Sequence, residues 1–383
     1  MRATLKPLFD PFTYGSLTCD NRIVMSPMTR NFSPNGVPGS DVAAYYARRA
    51  EAGVGLLITE GTGVDHPAAI GSGSMGEHDI PLMHGNAPLE GWRKVVEAVH
   101  AKGGKIAPQL WHMGGIRLNG TGPYPDARSI RASGIWGPLD KAILPPEYIE
   151  AVSETSVEAS QEDIESIIAG FARSAKKAVD IGFDAIAIHG GHGYLLDSFM
   201  WAETNKRTDQ YGGSTANRAR LAADVVCAIR AEIPADMPII YRFSQWKLQD
   251  YDAKPAKNPQ ELSEMLMPLV EAGVDIFDAS TRRFEVPAFE GSEMGLAGWA
   301  RQITGKPTMC VGGIGFDRDL QTSFAMPTEA TDNLDVVAKH FAEDEFDLVA
   351  VGRAILMDAG WIGKVRTGEK FKAFDLSAYG SLD

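Results

Sequence analysis

The chain is expected to fold as an α/β protein, a (β/α)8 barrel, and three observations carry that expectation. Short apolar, β-branched stretches alternate with amphipathic stretches of helical period; the strand-like stretches number eight; and the GxGxxG turn of an open doubly wound sheet is missing between the first strand and the first helix. The 383 residues are 44% hydrophobic and 23% charged, an ordinary globular profile. A barrel with loop insertions accounts for that length as one domain, residues 1–383.

Strands are expected at Arg22 to Met25, Gly55 to Thr59, Lys105 to Trp111, Phe183 to His189, Pro238 to Phe243, Asp275 to Ala279, Pro307 to Val311 and Asp347 to Val351. Between them, apolar residues recur at helical spacing over Asp41 to Ala50, Pro88 to Lys102, Gln161 to Val179, Asn217 to Glu232, Pro259 to Glu271 and Leu334 to Ala342. Ile181-Gly182 reads as a helix-ending turn, and FDAIAIH after it as a buried parallel strand. The glycines following His189 let the chain turn at the carboxyl end of that strand, where barrels carry their chemistry, so His189 is expected at the mouth. One segment, Met113 to Ser156, is rich in Gly, Pro and Ser and lacks any period. It is too long for an ordinary βα loop and is expected to cap the mouth as an insertion, residues 113–156, packed through Trp136, Tyr124 and Ile143.

A formal net charge of −13 opposes a nucleic-acid surface, which needs clustered Lys and Arg. Cys19, Cys227 and Cys310 are few, odd in number and far apart, so neither a disulfide framework nor a CxxC metal site can be built from them. That usage fits a reducing cytosol, and with no leader-like start the chain is expected to be cytoplasmic. No apolar run is long enough to span a bilayer, so no membrane partner is expected.

The stretch HGGHGYLLDSF, His189 to Phe199, carries the chemistry. Two imidazoles, His189 and His192, can hold one oxygen while the phenol of Tyr194 supplies a proton, which suits reduction of a polarised double bond beside a carbonyl or nitro group. A metal-dependent hydrolase is the rival, since Asp184 and Asp197 lie close in sequence. It would want further His, Asp or Glu at other strand ends. Those ends instead present Thr29, Gln109 and Arg242, and a guanidinium opposes a dication, so no metal is expected.

Four separated motifs, NRIVMSPMTR from Asn21, QLWHMG from Gln109, HGGHGYLLDSF and NKRTDQYGGSTANRAR from Asn205, resemble the old yellow enzyme family of flavin-dependent ene reductases. With VGGIG from Val311 and DLVAVGR from Asp347, the resemblance covers nearly the whole chain in order. It implies a barrel holding FMN at its mouth. Gln109 is similar to the residue matching the pyrimidine edge of the ring, Arg242 to the cation beside N1 and the C2 oxygen, and Thr29 to the hydroxyl at the C4 oxygen. Ser26, Pro27, Met28 and Gly61 would flank the ring, and Gly312, Gly313, Gly352 and Arg353 would hold the phosphate tail.

The same resemblance implies that NAD(P)H reduces the flavin and leaves, after which an activated alkene such as an enone, enal, maleimide or nitroalkene enters. Hydride passes from flavin N5 while His189 and His192 hold the substrate oxygen, and Tyr194 protonates the carbon. A nitroester or nitroaromatic reductase using the same donors is the alternative, and a flavoprotein with a sensing or binding role another. Many members of the family carry asparagine at the second histidine's position, and the histidine here would make oxygen binding more dependent on protonation state. Gly114-Gly115 and Met357-Asp358 depart from the family pattern.

Arg207, Asp209 and Arg220 are expected to form a charge network, with Ser214 as a helix N-cap. Trp111, Tyr241 and Trp246 read as core, Phe284 and Phe289 as pocket walls. The substrate is expected to be a small molecule, and monomer and homodimer stay equally open.

Overall fold

The computed structural model describes residues 1–74 and 76–383. A small antiparallel hairpin, β1 (Phe12–Tyr14) and β2 (Leu17–Cys19), comes first. Eight strands follow: β3 (Ile23–Met25), β4 (Leu56–Gly63), β5 (Ile106–Trp111), β6 (Ile186–His189), β7 (Ile239–Ser244), β8 (Ile276–Ser280), β9 (Thr308–Val311) and β10 (Leu348–Val351). They are parallel and pair in chain order, with β10 closing back onto β3, so the expected barrel is present. Each expected strand appears: the starts lie one to three residues later than expected, and the carboxyl ends at Met25, Trp111, His189, Val311 and Val351 coincide.

Helices Ser40–Glu51, Asn86–His100, Gln161–Ile181, Thr215–Glu232, Pro259–Ala272 and Leu334–Ala342 stand where the periodicity places them. Local signals explain their ends. Before Gln161–Ile181, Ser160 Oγ accepts from Asp163 N at 3.1 Å while Asp163 Oδ2 accepts from Ser160 N at 2.8 Å, and the helix stops at Gly182 with φ +100°. Ser214 accepts from Asn217 N, the expected N-cap. Several elements are additional to the expectation, among them the short helices Pro146–Val152, Leu195–Met200, Leu320–Ala325, Arg353–Met357 and Trp361–Thr367. Helix Leu296–Thr304 starts at Gly295 without a side-chain cap, and the strands of the hairpin are three residues each, too short for alternation to register.

Alternation along the strands builds the interior. Val24, Leu56, Ile58, Ala107, Ala185, Ala187, Ile240, Ile276, Met309, Leu348 and Ala350 form one buried cluster inside the barrel, and Phe12, Leu17 and Cys19 of the hairpin join it, stoppering the amino-terminal end. The intervening residues, among them Leu57, Ile106, Ile186, Ile188, Ile239 and Phe277, belong to the outer cluster shared with the helices. Following the inward rows toward the carboxyl ends leads from Ala187 to His189, from Ile240 to Arg242, from Ala107 to Gln109 and from Ile276 to Asp278. In β4 the register against β5 shifts between Ile58 and Gly61. Beyond this bulge Gly61 faces the mouth, and Glu60 is buried among other partners, its N–H donating to Tyr46 Oη at 2.9 Å and Oε2 accepting from Arg30 N at 2.8 Å.

Segment 113–156 contains two 3-10 turns and helix Pro146–Val152, and buries Ile116, Ile130, Trp136, Tyr148 and Val152. Tyr124 and Ile143 are 45% and 73% exposed, so the segment packs through Trp136 and not through those two. Trp136 O accepts from Gln249 Nε2, and Gly114 lies against Leu195. Arg207 pairs with Asp209 and donates to the carbonyls of Ala132 and Ala159, whereas Arg220 binds Gln210 O and Asn217 Oδ1 and takes no part in that ion pair. Among the described residues no helix is long and apolar enough to cross a membrane.

Gly190, directly after β6, has no room for a side chain: a Cβ there would sit 2.1 Å from Oη of the fully buried Tyr241. Gly190→Ala is therefore expected to destabilise the fold by about 1–3 kcal/mol through overpacking. Thermal denaturation of the variant beside the native protein checks this, and equal melting temperatures would contradict it.

Candidate active site

A cavity of about 550 Å3 opens at the carboxyl ends of the strands, within the range of about 300–1,000 Å3 usual for small-molecule sites. It is lined by Ser26, Pro27, Met28 and Thr29 after β3, Gly61 on β4 and Gln109 on β5. His189, His192 and Tyr194 enter from β6 and the loop after it, Arg242 from β7, Gly312 and Gly313 after β9, and Gly352 and Arg353 after β10. The geometry thus brings every site residue expected from sequence to one cavity.

The loop after β6 is held in an unusual shape. His192 has φ +62°, a left-handed conformation uncommon for a side-chain-bearing residue. Surrounding bonds fix it: His192 N donates to Ser244 Oγ at 2.7 Å, His192 O accepts from Leu248 N at 3.1 Å, and Gly193 N donates to Asp197 Oδ2 at 2.7 Å. The second oxygen of Asp197 binds Lys247 Nζ at 2.6 Å, both groups being buried. The His192 ring stacks on Trp246 at 4.1 Å, with Nε2 2.9 Å from Ser280 Oγ. His189 stands edge-on to His192 at 5.1 Å and to Tyr194 at 4.9 Å, and Trp111 stacks beside it at 6.0 Å.

Burial and the nearby Arg242 push His189 down to about 3; burial, His189, Arg242 and Lys247 hold His192 well below its ordinary value. Both rings are neutral at physiological pH, so the stronger protonation dependence expected for the second histidine is removed by burial. Because Gly191 N donates to His189 Nδ1 at 3.4 Å, the assigned tautomer of His189 carries its hydrogen on Nε2. The Tyr194 phenol, raised well above 10 by burial and by Glu77, stays protonated.

Arg242 donates from Nε to Asp278 Oδ2 at 2.6 Å and from Nη2 to Ser26 Oγ at 2.9 Å, so its plane is fixed beneath the cavity. Gly312 has φ +136°, and a Cβ there would lie 2.4 Å from Thr281 O, so only a bare backbone fits. Arg353 donates to the carbonyls of Asp319 at 3.0 Å and Arg318 at 2.7 Å, which holds its guanidinium beside these glycines. An amide, a fixed cation, exposed-backbone glycines and a second arginine in one cleft match the donors and acceptors of FMN, so the residues present fit that cofactor.

Sequence reasoning missed several lining residues. Trp111 and Trp246, read as core, line the cavity, whereas Tyr241 is core. Trp111 shares the inward parity of Gln109, a signal that could have found it. Glu77, Tyr251, Arg282, Phe324 and Tyr379 also line the cavity, and no motif marks them. Phe284 and Phe289, expected as walls, pack instead against His340 and Trp299. No residue of 113–156 is among the lining residues. Asp184, weighed earlier as a metal ligand, binds His100 and Lys105 near the opposite strand end, and Asp197 is committed to Lys247.

The sequence pattern of the NADH:flavin oxidoreductase / NADH oxidase family matches residues 7–371. Similar proteins include a putative 12-oxophytodienoate reductase 4 of Oryza sativa subsp. japonica, 38% identical over 229 residues, 60% of this chain and 56% of that one. Another is 12-oxophytodienoate reductase 2 of Arabidopsis thaliana, 36% identical over 260 residues, 67% of this chain and 65% of that one. The chain thus spans rather more than half the length of these curated relatives. A solved structure of morphinone reductase in complex with tetrahydroNAD superposes with a TM-score of 0.77 at 26% identity, covering 98% of this chain and 96% of the other.

Behind Trp111 lies a second imidazole pair. His112 Nδ1 accepts from Gly114 N at 3.1 Å, so its Nε2 donates across 3.1 Å to His66 Nδ1, which also accepts from Ala68 N. Burial pushes His66 down to about 4 and His112 well below its ordinary value. Unfolded histidines take up protons below about pH 6.5, whereas these refuse them in the fold, so stability is complete above that pH and lost as pH falls. For His66 the loss should run from about 6.5 down to about 4, and for His189 down to about 3. Melting temperature should therefore drop as pH is lowered from 7 to 4, and less steeply in His66→Gln. A slope identical in both proteins would contradict the assignment.

Proposed function

Because the chain belongs to the NADH:flavin oxidoreductase / NADH oxidase family, we propose that it is an FMN-dependent oxidoreductase that takes reducing equivalents from NAD(P)H and delivers them to an activated alkene. The observation carrying this reading is the convergence of His189, His192 and Tyr194, with the His189 ring 5.1 Å from that of His192 and 4.9 Å from that of Tyr194, in a cleft also lined by Gln109 and Arg242. The nicotinamide-type ligand of the morphinone reductase complex supports the choice of reductant. In this reading Gln109 matches the pyrimidine edge of the cofactor, Arg242 faces its N1 side, Thr29 its C4 oxygen, and Ser26, Pro27, Met28 and Gly61 flank the ring. Gly312, Gly313, Gly352 and Arg353 take the phosphate. When bound, FMN accepts two electrons from the nicotinamide and passes them to the substrate.

His189 and His192, as neutral donors, hold the carbonyl or nitro oxygen of an enone, enal, maleimide or nitroalkene and stabilise the negative charge that gathers there. They are held in place before the reaction by Trp111, Trp246 and Ser280, so little reorganisation opposes them. Removing one such donor should cost about 2.7–4 kcal/mol of transition-state stabilisation. Tyr194 keeps its proton at working pH and gives it to the α carbon.

Purified protein is expected to carry FMN stoichiometrically and to bleach under argon on addition of NADH or NADPH; absence of both would overturn the reading. His189→Ala with His192→Ala should still bleach yet reduce cyclohexenone at least roughly 10²-fold more slowly. Undiminished turnover of cyclohexenone, maleimide and nitroalkenes would refute the oxygen clamp. Tyr194→Phe should slow enone reduction by roughly 10²–10⁴ and spare nitroester reduction, which needs no protonation at carbon.

A further inference from the structure

We propose that Glu77 is a positioning residue that resupplies the proton Tyr194 gives to substrate, an inference that rests on reading Tyr194 as the proton donor. Tyr194 Oη lies 3.1 Å from Glu77 Oε1, and Glu77, only 3% exposed, lines the same cavity. Its other oxygen is accommodated by Gly73, where a Cβ would approach within 2.8 Å. A carboxyl group buried so completely, and placed against the one phenol of the reacting cluster, bears directly on where that phenol's hydrogen points.

While Glu77 is a carboxylate it accepts the Tyr194 hydrogen and turns it away from the cavity. When Glu77 carries a proton the bond reverses: Glu77 O–H donates to Tyr194 Oη, and the phenolic hydrogen is freed toward substrate. The step then balances. The Tyr194 O–H bond breaks as the C–H bond forms at the α carbon; the Glu77 O–H bond breaks as the Tyr194 O–H bond reforms; and water returns a proton to Glu77. No electrons move in this relay.

The other titratable groups around Tyr194 are unsuited to the task. His189 and His192 are neutral, held so by burial and Arg242, and carry no spare proton. Tyr148 commits its hydrogen to Ile116 O at 2.7 Å. Among the described residues, Glu77 is the carboxyl group hydrogen-bonded to the phenol and so placed to pass it a proton.

The holoenzyme tests this by separating its two half-reactions. In Glu77→Gln, flavin reduction by NADPH should stay within about twofold of native, while reoxidation by cyclohexenone slows roughly 10–10²-fold and reoxidation by menadione, which is protonated on oxygen, does not change. Glu77→Asp should recover much of the loss, and formate should partly rescue Glu77→Ala. Glu77→Gln should add nothing once Tyr194→Phe is present. Equal slowing of both half-reactions, unaltered cyclohexenone reoxidation, or full additivity with Tyr194→Phe would each overturn the relay. On the native enzyme, which needs no variant to fold, a proton inventory of reoxidation should curve for two protons in flight, and a straight line would also overturn it. If Tyr194→Phe by itself left cyclohexenone reduction untouched, the donor reading would fail first, an outcome distinct from failure of Glu77.

Discussion

Closure of eight parallel strands into one barrel sets the facing of every residue along them, and the mouth inherits its chemistry from that parity. A strand that places Ala185 and Ala187 inside must bring His189 inward at its carboxyl end; one that buries Ile240 must present Arg242. Slipping any strand by one residue would exchange the interior row for the helix-facing row and turn the functional side chain away. The apolar interior and the polar cleft are therefore two ends of a single register, and the hairpin residues Phe12, Leu17 and Cys19 seal the end opposite the chemistry.

Two buried ion pairs hold what the register cannot. Arg242 with Asp278 steadies a cation under the cleft, and Lys247 with Asp197 braces the loop in which His192 takes its left-handed backbone. Such pairs contribute little net stability over apolar substitutes, but removing one partner strands the other and typically costs about 3–5 kcal/mol. Their value here lies in orientation. The same low-polarity surroundings keep both mouth histidines uncharged across physiological pH.

Most of the barrel was readable because its strands and helices follow distinct periods, and because start and stop residues such as Ser160, Ser214 and Gly182 mark the ends. The strand-end residues that line the cavity were readable for the same reason, reinforced by motif resemblance. What escaped lacks a local signature. Glu77 reaches Tyr194 from a non-repetitive loop after β4, and Tyr379 reaches the cavity because Arg30 and Arg49 bind carbonyls of Ala378, Ser381 and Asp383, contacts more than three hundred residues apart in sequence. Phe284 and Phe289 were misplaced because apolar character says that a side chain is buried and not which cluster receives it.

The irregularity in β4 has an electrical side. By displacing one residue from the inward row it seats the Glu60 carboxyl in a dry niche behind the cleft, where burial pushes it up to about 7 despite the restraining hydrogen bond from Arg30 N. A buried carboxyl one peptide away from Gly61 thus changes its charge near neutrality. Any bound group sensitive to local potential would feel acidification as a shift in background field, while the surrounding atoms keep their places.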